Sequence, residues 1–374
     1  MKKELFYVLL LVSFIGVGQC PNDDIYLTTQ AEIDAFSSNF PNCTHLIKSL
    51  NIEGSDISNL NGLSQIQDVD EGIFIVNTNI ENFSGLENIQ NLSSSLIITE
   101  NNSLVNFEGL QNLETITGQL AIALNGQIIN FTGLNSLYSV GNGSDLGVLI
   151  NSNDSLVSLD GLANLTQIYG SFRVEKNDLL ENFGGLVNLE SIYGWLGILD
   201  NDMLETLNGL ENLLYCEDYI SITGNASLSS VSSLVNLDSS AIIGVIVEDN
   251  PLLSFCAIAP VCDAIVNPNT DVIINNNLAG CNSVPEVEAQ CNLSITEADL
   301  SENLSFFPNP VSSILNIETP KNISFKKATV YSTLGKPILE TSENQINFET
   351  LSAGIYFVEV ISDKGVVTKK IVKQ

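Results

Sequence analysis

The side chains in this 374-residue sequence that could carry out chemistry are one histidine, seven cysteines and 44 acidic residues. A catalytic triad or a histidine-bound metal needs an imidazole beside a nucleophile or beside further ligands. His45 is the single imidazole, and the sequence assigns it no serine or cysteine partner. No glycine-rich loop runs from a strand into a helix, as phosphate binding requires. We therefore expect no triad, no metal site and no cofactor.

Paired carboxylates are the remaining route to catalysis, because parallel β-helices can carry sugar-cleaving enzymes that use two acidic residues. Glu175 and Glu248 fall three repeats apart, about 14 Å at strand spacing, which is too far for such a pair. Asp200 and Asp202 flank Asn201 in a pattern typical of solvated turns. We expect a protein that is not an enzyme, and a carboxylate-dependent polysaccharide enzyme is the alternative.

These residues are carried by a repeat of about 24 residues. A Gly-Leu pair recurs at 62, 85, 109, 133, 161, 185 and 209, with Ser233-Leu234 in the next position. Each unit contains a short alternating run such as Leu196 to Ile198, which predicts one strand per repeat. A fixed period of this length is typical of a solenoid. The predicted fold is therefore all-β dominated, a parallel β-helix or leucine-rich-repeat-like solenoid of about nine rungs over residues 49–255, with short capping helices.

An asparagine also recurs once per rung, just after the strand. Stacked amides can donate and accept along a buried column, and so satisfy backbone groups that a corner leaves unpaired. Because every rung carries the residue, we interpret the column as structural and not as a ligand site. The column is Asn101, Asn125, Asn153, Asn177, Asn201, Asn225 and Asn250.

The outward strand positions form the candidate binding surface. Exposed apolar residues grouped on one face suggest a partner, whereas a covering loop or the β-branched preference of a flat sheet explains them equally well. Aromatic residues recur at equivalent positions of adjacent rungs, and stacked aromatics can hold a sugar ring, with rung-on-rung packing as the alternative. The candidate residues are Phe74, Val76, Ile97, Thr99, Arg173, Glu175, Leu199, Tyr169, Tyr193, Trp195 and Tyr219.

The N-terminal end predicts an export signal followed by a cap. Residues 1–18 begin with lysines and continue into an apolar run too short to span a bilayer, so a signal peptide is expected. Residues 19–48 contain a capping box that opens a short helix after Thr29. Cys20 and Cys43 flank that helix and should pair in an exported protein. Lipid attachment at Cys20 is the alternative, although the preceding residues fit a lipobox poorly.

A cysteine-rich cap is predicted at residues 256–291, after the last rung. Its four cysteines allow three pairings, and the sequence does not choose among them. A zinc site is the alternative, but the spacing is irregular and no histidine is near. Cys216 stands at a core position within a rung and is expected to be a buried free thiol. The four cysteines of the cap are Cys256, Cys262, Cys281 and Cys291.

A polar linker at 292–303 leads into a small β domain at 304–374. Short strand-like runs separated by turns predict an Ig-like β-sandwich there. The charge changes at the same place, since residues 19–298 hold 35 acidic against three basic residues and residues 299–374 hold eight of each. An acidic solenoid repels nucleic acid and anionic lipid, so neither is expected as a partner. No apolar run after the signal is long enough to cross a membrane.

Two resemblances to known families add to this interpretation, and the first concerns the rungs with their cysteine-bearing caps. From about Cys20 to Cys291 the chain resembles the receptor L domain, a leucine-rich-repeat-like right-handed β-helix. The resemblance implies a binding module that often uses its broad strand face, and it implies no catalysis.

Residues 304–374 resemble the type A C-terminal sorting domain of type IX secretion, a system of the Bacteroidetes lineage. The resemblance implies Sec export, passage through the periplasm, translocation by the type IX machinery, and a location outside a Gram-negative cell or on its outer-membrane surface. The motif residues that carry it are Pro308, Asn309, Pro310, Gly335, Gly354, Tyr356 and Lys370.

The expected function is that of a secreted or cell-surface recognition or adhesion protein. It would bind an extracellular protein or glycan through the strand face of the solenoid. Besides the carboxylate-dependent enzyme, a passive surface spacer is the second alternative.

Overall fold

The structure, a computed structural model, describes residues 20–143, 147–291, 304–319, 324–333, 336–362 and 366–374. The predicted signal peptide at 1–18 and the predicted linker at 292–303 lie outside the described residues. The chain divides between Val284 and Pro285 into two compact units.

The first unit is built on one long parallel sheet of eleven strands, which we call the long sheet. Its strands follow one another in chain order and pair in register, for example Phe172 with Leu196 and Val174 with Ile198. This confirms the predicted solenoid. The strands are Ile25–Leu27, Leu50–Glu53, Ile73–Val76, Leu96–Thr99, Leu120–Ala123, Val148–Asn151, Phe172–Glu175, Leu196–Leu199, Asp218–Thr223, Ile242–Glu248 and Asp271–Asn275.

Alternation decides which side of each strand faces the core. In the rung that begins at Leu196, Leu196 and Ile198 are buried, while Leu199 is only half-buried. The leucines that follow at 204, 207, 210 and 213 are also buried, so the returning chain closes the core from the opposite side. A single rung could not bury these residues alone, and stacking therefore supplies the stability.

The solenoid also has a second parallel sheet, so the prediction of one strand per repeat was wrong. Six strands of two or three residues pair from rung to rung, and a separate pair joins His45–Leu46 to Asp68–Val69. Strands this short contain too little alternation for periodicity to detect them. The six strands are Asn91–Leu92, Thr115–Ile116, Ser139–Gly141, Gln167–Tyr169, Ser191–Ile192 and Tyr215–Cys216.

The asparagine column is continuous through the core. All seven predicted asparagines are fully buried, and each backbone N–H donates to the side-chain oxygen of the next one, as Asn153 does to Asn177 at 3.1 Å. The column also extends past both predicted ends. Thr78 donates to Asn101 at one end, and Asn250 donates to Asn277 at the other. Asn277 lies beyond residue 255, where the predicted rungs end, which is why the repeat did not reveal it.

Helices cap the first unit, and short 3₁₀ turns occur within it. The helix Gln30–Asn39 begins at a capping box between Thr29 and Glu32 and buries Ile33 and Phe36. The other helical elements described in this unit are Ala259–Val266 and the 3₁₀ turns Asn61–Leu63, Gly184–Leu186 and Ser232–Leu234. A further helix at residues 284–291 begins at the boundary and belongs almost entirely to the second unit.

Disulfides cross-link both cysteine-bearing regions. Cys20 is bonded to Cys43, so its sulfur is not available for a lipid. Cys256 is bonded to Cys281, and Cys262 and Cys291 are each disulfide-bonded as well. The zinc alternative is therefore excluded for these four residues, because a zinc site needs thiolates.

Cys216 is free and buried, and burial raises the pKa of its thiol to about 12. The thiol is therefore almost entirely protonated near neutral pH, and the protonated form is not nucleophilic. We expect the native chain to resist alkylation by iodoacetamide at pH 8. After denaturation without reductant, mass spectrometry should count one alkylated thiol per chain. Rapid labelling of the native chain would contradict this burial.

The second unit contains two antiparallel sheets around a common core. Leu315 and Ile346 of the first sheet and Val330 and Val360 of the second are all buried in that core. The three-stranded sheet is Ser305–Phe307, Ile314–Glu318 and Gln345–Asn347, and the four-stranded sheet is Pro337–Thr341, Phe325–Ser332, Gly354–Ser362 and Val366–Lys373.

Candidate functional site

The outward side chains of the long sheet lie in two columns, because alternate residues of each strand point away from the core. One column contains Phe74, Ile97, Leu149, Arg173, Gly197, Ser221 and Ile246, and the other contains Val76, Thr99, Asn151, Glu175, Leu199, Thr223 and Glu248. The apolar members were expected to be exposed, but Phe74, Ile97 and Leu199 are half-buried. Strands lie only about 4.8 Å apart, so neighbouring side chains shield one another.

The chain's single arginine and single tryptophan meet on this face. The Arg173 guanidinium carbon lies 4.9 Å from the centre of the Trp195 ring, within the distance of a cation–π interaction. Arg173 also donates to one carboxylate oxygen of Glu175 at 2.8 Å, and the other oxygen accepts from Asn151 at 2.5 Å. Glu175 therefore neutralises the guanidinium and holds it in place against the indole ring.

Two glycines make room for the aromatic rings on the sheet. A Cβ atom at Gly197 would lie 3.0 Å from Trp195 Cζ2, and one at Gly244 would lie 2.0 Å from Tyr219 Cε1. Both rings therefore lie over positions without a side chain. The Tyr219 hydroxyl donates to Asp271 at 3.0 Å, which raises the pKa of Tyr219.

Two hydrogen-bond donors at this point have no acceptor. Arg173 Nε and Trp195 Nε1 are both buried, and neither has a hydrogen-bond partner among the residues that the structure describes. A buried donor without an acceptor costs about 1–3 kcal/mol. Because both nitrogens are shielded from the surface, a ligand on the long sheet would contact the outer parts of these two side chains and not the two nitrogens.

Depressions in the surface lie on both sides of Trp195. One has a volume of about 240 Å³ and the other about 480 Å³, and Ser171 and Trp195 line both. Their lining residues come from six consecutive rungs, from Gln119 to Ile246, which is about 24 Å at the usual strand spacing. We call these two depressions the Trp195 groove; its lining includes Gln119, Leu149, Ser171, Arg173, Trp195, Asp218, Tyr219, Ser221 and Ile246.

The predicted aromatic residues do not form one ridge. Tyr169 and Tyr193 stack with ring centres 4.9 Å apart, but Tyr169 belongs to the second sheet and Tyr193 directly follows a strand of that sheet. Tyr215 extends this stack at 5.3 Å. Trp195 is the residue before a strand of the long sheet. The candidate set is thus divided between two sheets, and the tyrosine stack lies outside the lining of the Trp195 groove.

The carboxylates considered for catalysis do not form a pair. Glu175 and Glu248 lie three strands apart in the register, and Glu248 accepts a hydrogen bond from Asn275 at 2.5 Å. Asp200 and Asp202 are exposed. Burial and the nearby carboxylates of Asp202, Asp154 and Asp200 raise the pKa of Asp178, which lies one rung away from Asp202.

His45, Asp68 and Asp70 form a cluster that the sequence analysis missed. His45 pairs with Asp68 across neighbouring strands, and its Nε2 lies 2.9 Å from Asp70 Oδ1 and 3.7 Å from Asp68 Oδ2. One ligand atom from each residue lies within 4.8 Å of the others, and imidazole with carboxylate suits a divalent transition metal. All three side chains are 41–49% exposed, and we assign no metal to them. The 23-residue spacing from His45 to Asp68 was the available signal.

The pKa of His45 is raised, chiefly by its hydrogen bond to Asp70 and to a smaller extent by the charge of Asp68. This pair therefore stabilises the fold fully below the unfolded pKa of about 6.5, and the contribution is lost as pH rises through the folded pKa. Because His45 is the only histidine, an NMR titration of its ring protons needs no assignment. We expect Asp70→Asn to lower this pKa more than Asp68→Asn does. Equal pKa values in the wild type and Asp70→Asn would contradict the arrangement.

Two motif residues of the second unit, Asn309 and Tyr356, make side-chain hydrogen bonds to the backbone. The Asn309 side chain donates to the Lys370 carbonyl at 3.0 Å and accepts from the Val372 N–H at 2.9 Å. The Tyr356 hydroxyl donates to the Ser352 carbonyl at 2.9 Å. The remaining motif residues Pro308, Pro310, Gly354 and Lys370 are exposed, whereas Gly335 lies outside the described residues.

Comparison with known proteins identifies this unit. Residues 305–374 match the family described as the secretion system C-terminal sorting domain. The domain indicates export by type IX secretion, in Bacteroidetes, to the cell surface or the extracellular space. No curated protein matches the chain. Within the described residues, every helix is too short or too polar to span a bilayer.

Proposed function

We propose that this exported chain is a non-enzymatic recognition protein whose receptor L-domain-like solenoid binds an extracellular protein or glycan through the long sheet. The observation that carries the proposal is the Trp195 groove, whose two depressions of about 240 and 480 Å³ lie on the long sheet and share Ser171 and Trp195 in their linings. A surface that served only as a spacer would not need such a groove. The sorting domain supports the location that such a function requires.

The placement of the candidate residues also supports binding over catalysis. Glu175 and Glu248 are held in hydrogen bonds to Arg173, Asn151 and Asn275, and the two carboxylates lie three strands apart. The aromatic and apolar residues, in contrast, line open depressions that a ligand can reach. Recognition sites combine an apolar lining with a few placed polar groups in this way.

The test is binding of the purified chain to surface extracts of neighbouring bacterial or host cells, measured by biolayer interferometry. The double variant Trp195→Ala/Phe74→Ala alters the long sheet at two places. The matched control is Tyr138→Ala/Phe255→Ala, which removes two exposed aromatic side chains outside the long sheet. Circular dichroism of both variants establishes that they fold.

We expect the long-sheet variant to lose at least nine-tenths of the binding and the control to keep it. Equal binding by the two folded variants would contradict a site on the long sheet. A folded wild-type chain that binds no extract would instead support the spacer alternative.

A further inference from the structure

We infer that the ligand of the Trp195 groove is an uncharged linear glycan that lies across the strands of the long sheet. This inference rests on the proposed function and specifies the ligand class for the same face. It follows from the direction of the groove, from the chemistry of its lining, and from the charge of the unit that carries it.

The position and direction of the groove favour a polymer that binds without adding a strand to the edge of a sheet. The groove crosses six rungs in the interior of the long sheet, where each strand is already paired on both sides. An extended peptide gains affinity mainly by adding its backbone to a free sheet edge, and the groove offers none. A length of about 24 Å suits a chain of several sugar rings better than a single ring.

The lining of the groove offers the two kinds of contact that a sugar chain uses. Trp195 and Tyr219 provide aromatic surface for the apolar faces of sugar rings. Between and beside them, Gln119, Ser171 and Ser221 provide an amide and two hydroxyl groups for hydrogen bonds to ring hydroxyls. These three polar groups lie on every second rung, so a repeating ligand can use them in turn.

Arg173 adds a hydrogen-bond donor to the lining of the groove. Its side chain is 37% exposed and lines the groove, although its Nε is buried. Sugar hydroxyl and ring oxygens accept hydrogen bonds from a guanidinium without carrying charge.

The charge of the solenoid disfavours an anionic glycan. Glu175 already neutralises the guanidinium of Arg173, and Asp218 adds a carboxylate to the lining. Across residues 19–298 there are 35 acidic residues against three basic ones, so a uronate or sulfate chain would approach a negative surface. The groove therefore favours a neutral chain.

Trp195 makes the test direct, because it is the only tryptophan and lies in the groove wall. Its emission is followed while the full chain is titrated with hexasaccharides of glucose, xylose, mannose or galactose. Matched galacturonate hexamers and a hexalysine peptide are the comparison ligands. We expect a saturable change in emission with at least one neutral hexamer, and at least tenfold weaker binding of the galacturonate and lysine hexamers.

Two variants test whether the hexamer binds in the Trp195 groove. Arg173→Lys keeps the positive charge and removes the planar guanidinium that lies against Trp195 in the groove lining, and we expect it to weaken binding of the neutral hexamer at least tenfold. Thr99→Ala, on the same face but outside the groove lining, should leave the affinity within twofold. Tighter binding of galacturonate than of every neutral hexamer would overturn the inference.

Surface extracts treated with periodate or with protease distinguish two outcomes: that the ligand is not a glycan, and that the long sheet is not a binding face. Periodate oxidises glycans, whereas protease removes proteins. Binding that depends on Trp195 and is lost after periodate but not after protease supports a glycan. Binding that depends on Trp195 and is lost only after protease overturns the glycan and leaves recognition by the face intact.

Discussion

Gly209→Ala is expected to lower the free energy of unfolding of the solenoid by about 4 kcal/mol or more. A Cβ atom at this position would lie 1.9 Å from the carbonyl oxygen of Phe183 and 2.3 Å from its carbonyl carbon, one rung away. Neither atom can swing aside, because both belong to the backbone. Gly209 also has a φ of +109°, a conformation that alanine adopts only with strain.

The matched control is Gly126→Ala. A Cβ atom there would meet only the Asn102 side-chain oxygen, at 3.5 Å, and its φ lies outside the left-handed region. We expect the control to leave stability unchanged or to raise it by up to about 1 kcal/mol. Urea unfolding followed by Trp195 fluorescence reports the solenoid alone, since the second unit contains no tryptophan. Equal midpoints for the two variants would show that the rungs can separate enough for a methyl group.

Ser233 shows why the local backbone matters for this prediction. It occupies the equivalent position one rung after Gly209, and it is buried. There the chain forms the 3₁₀ turn Ser232–Leu234, and the Ser233 hydroxyl donates to Glu211 at 3.1 Å. Ser233 does not have a positive φ, so it is free of the backbone strain that alanine would have at Gly209.

Asn177→Ala is expected to destabilise the solenoid by roughly 2–5 kcal/mol. The Asn177 side-chain oxygen accepts from the Asn153 backbone N–H at 3.1 Å, and its Nδ2 donates to the carbonyls of Ile150 and Glu175, both at 3.0 Å. Alanine would leave the Asn153 backbone donor buried without a partner and would remove both hydrogen bonds from Nδ2. The cost of an unpaired buried group exceeds the net gain from an ordinary hydrogen bond, which is why the effect is large.

Asn188→Ala is the matched control, because it also removes an asparagine side chain that forms a hydrogen bond to the neighbouring rung. Asn188 is exposed, and its Nδ2 donates to the Ala163 carbonyl at 2.8 Å. Water can replace this bond, so we expect a loss of less than about 1 kcal/mol. A loss at Asn177 no larger than that at Asn188 would mean that the buried column contributes little to stability.

The repeat could be recognised in the sequence because each rung is a local unit. The run around Leu196 and Ile198 fixes one strand, and the glycine and leucines after it fix the return of the chain, all within 24 residues. The Asn177 column was readable for the same reason, since a residue required by every rung recurs at the period of the rung. The second sheet was not readable, because its strands contain only two or three residues.

The candidate site could be predicted from the sequence only in part. The outward position of Arg173 follows from alternation along its strand. Trp195 can lie under that guanidinium because Gly197, two residues later, has no side chain to occupy the space of the indole ring. His45, Asp68 and Asp70 were missed because two of them come from a short strand pair and the third directly follows it.

By itself the sequence determined the rung period, the inward and outward sides of the long strands, the acidic solenoid and the sorting domain, because each of these is encoded in residue type and local spacing. Only the tertiary structure decided which side chains meet. Arg173 and Trp195 lie 22 residues apart and touch because neighbouring rungs stack in register. Whether Arg173 Nε and Trp195 Nε1 find acceptors is decided by the side-chain packing across those rungs, which no local pattern in the sequence records.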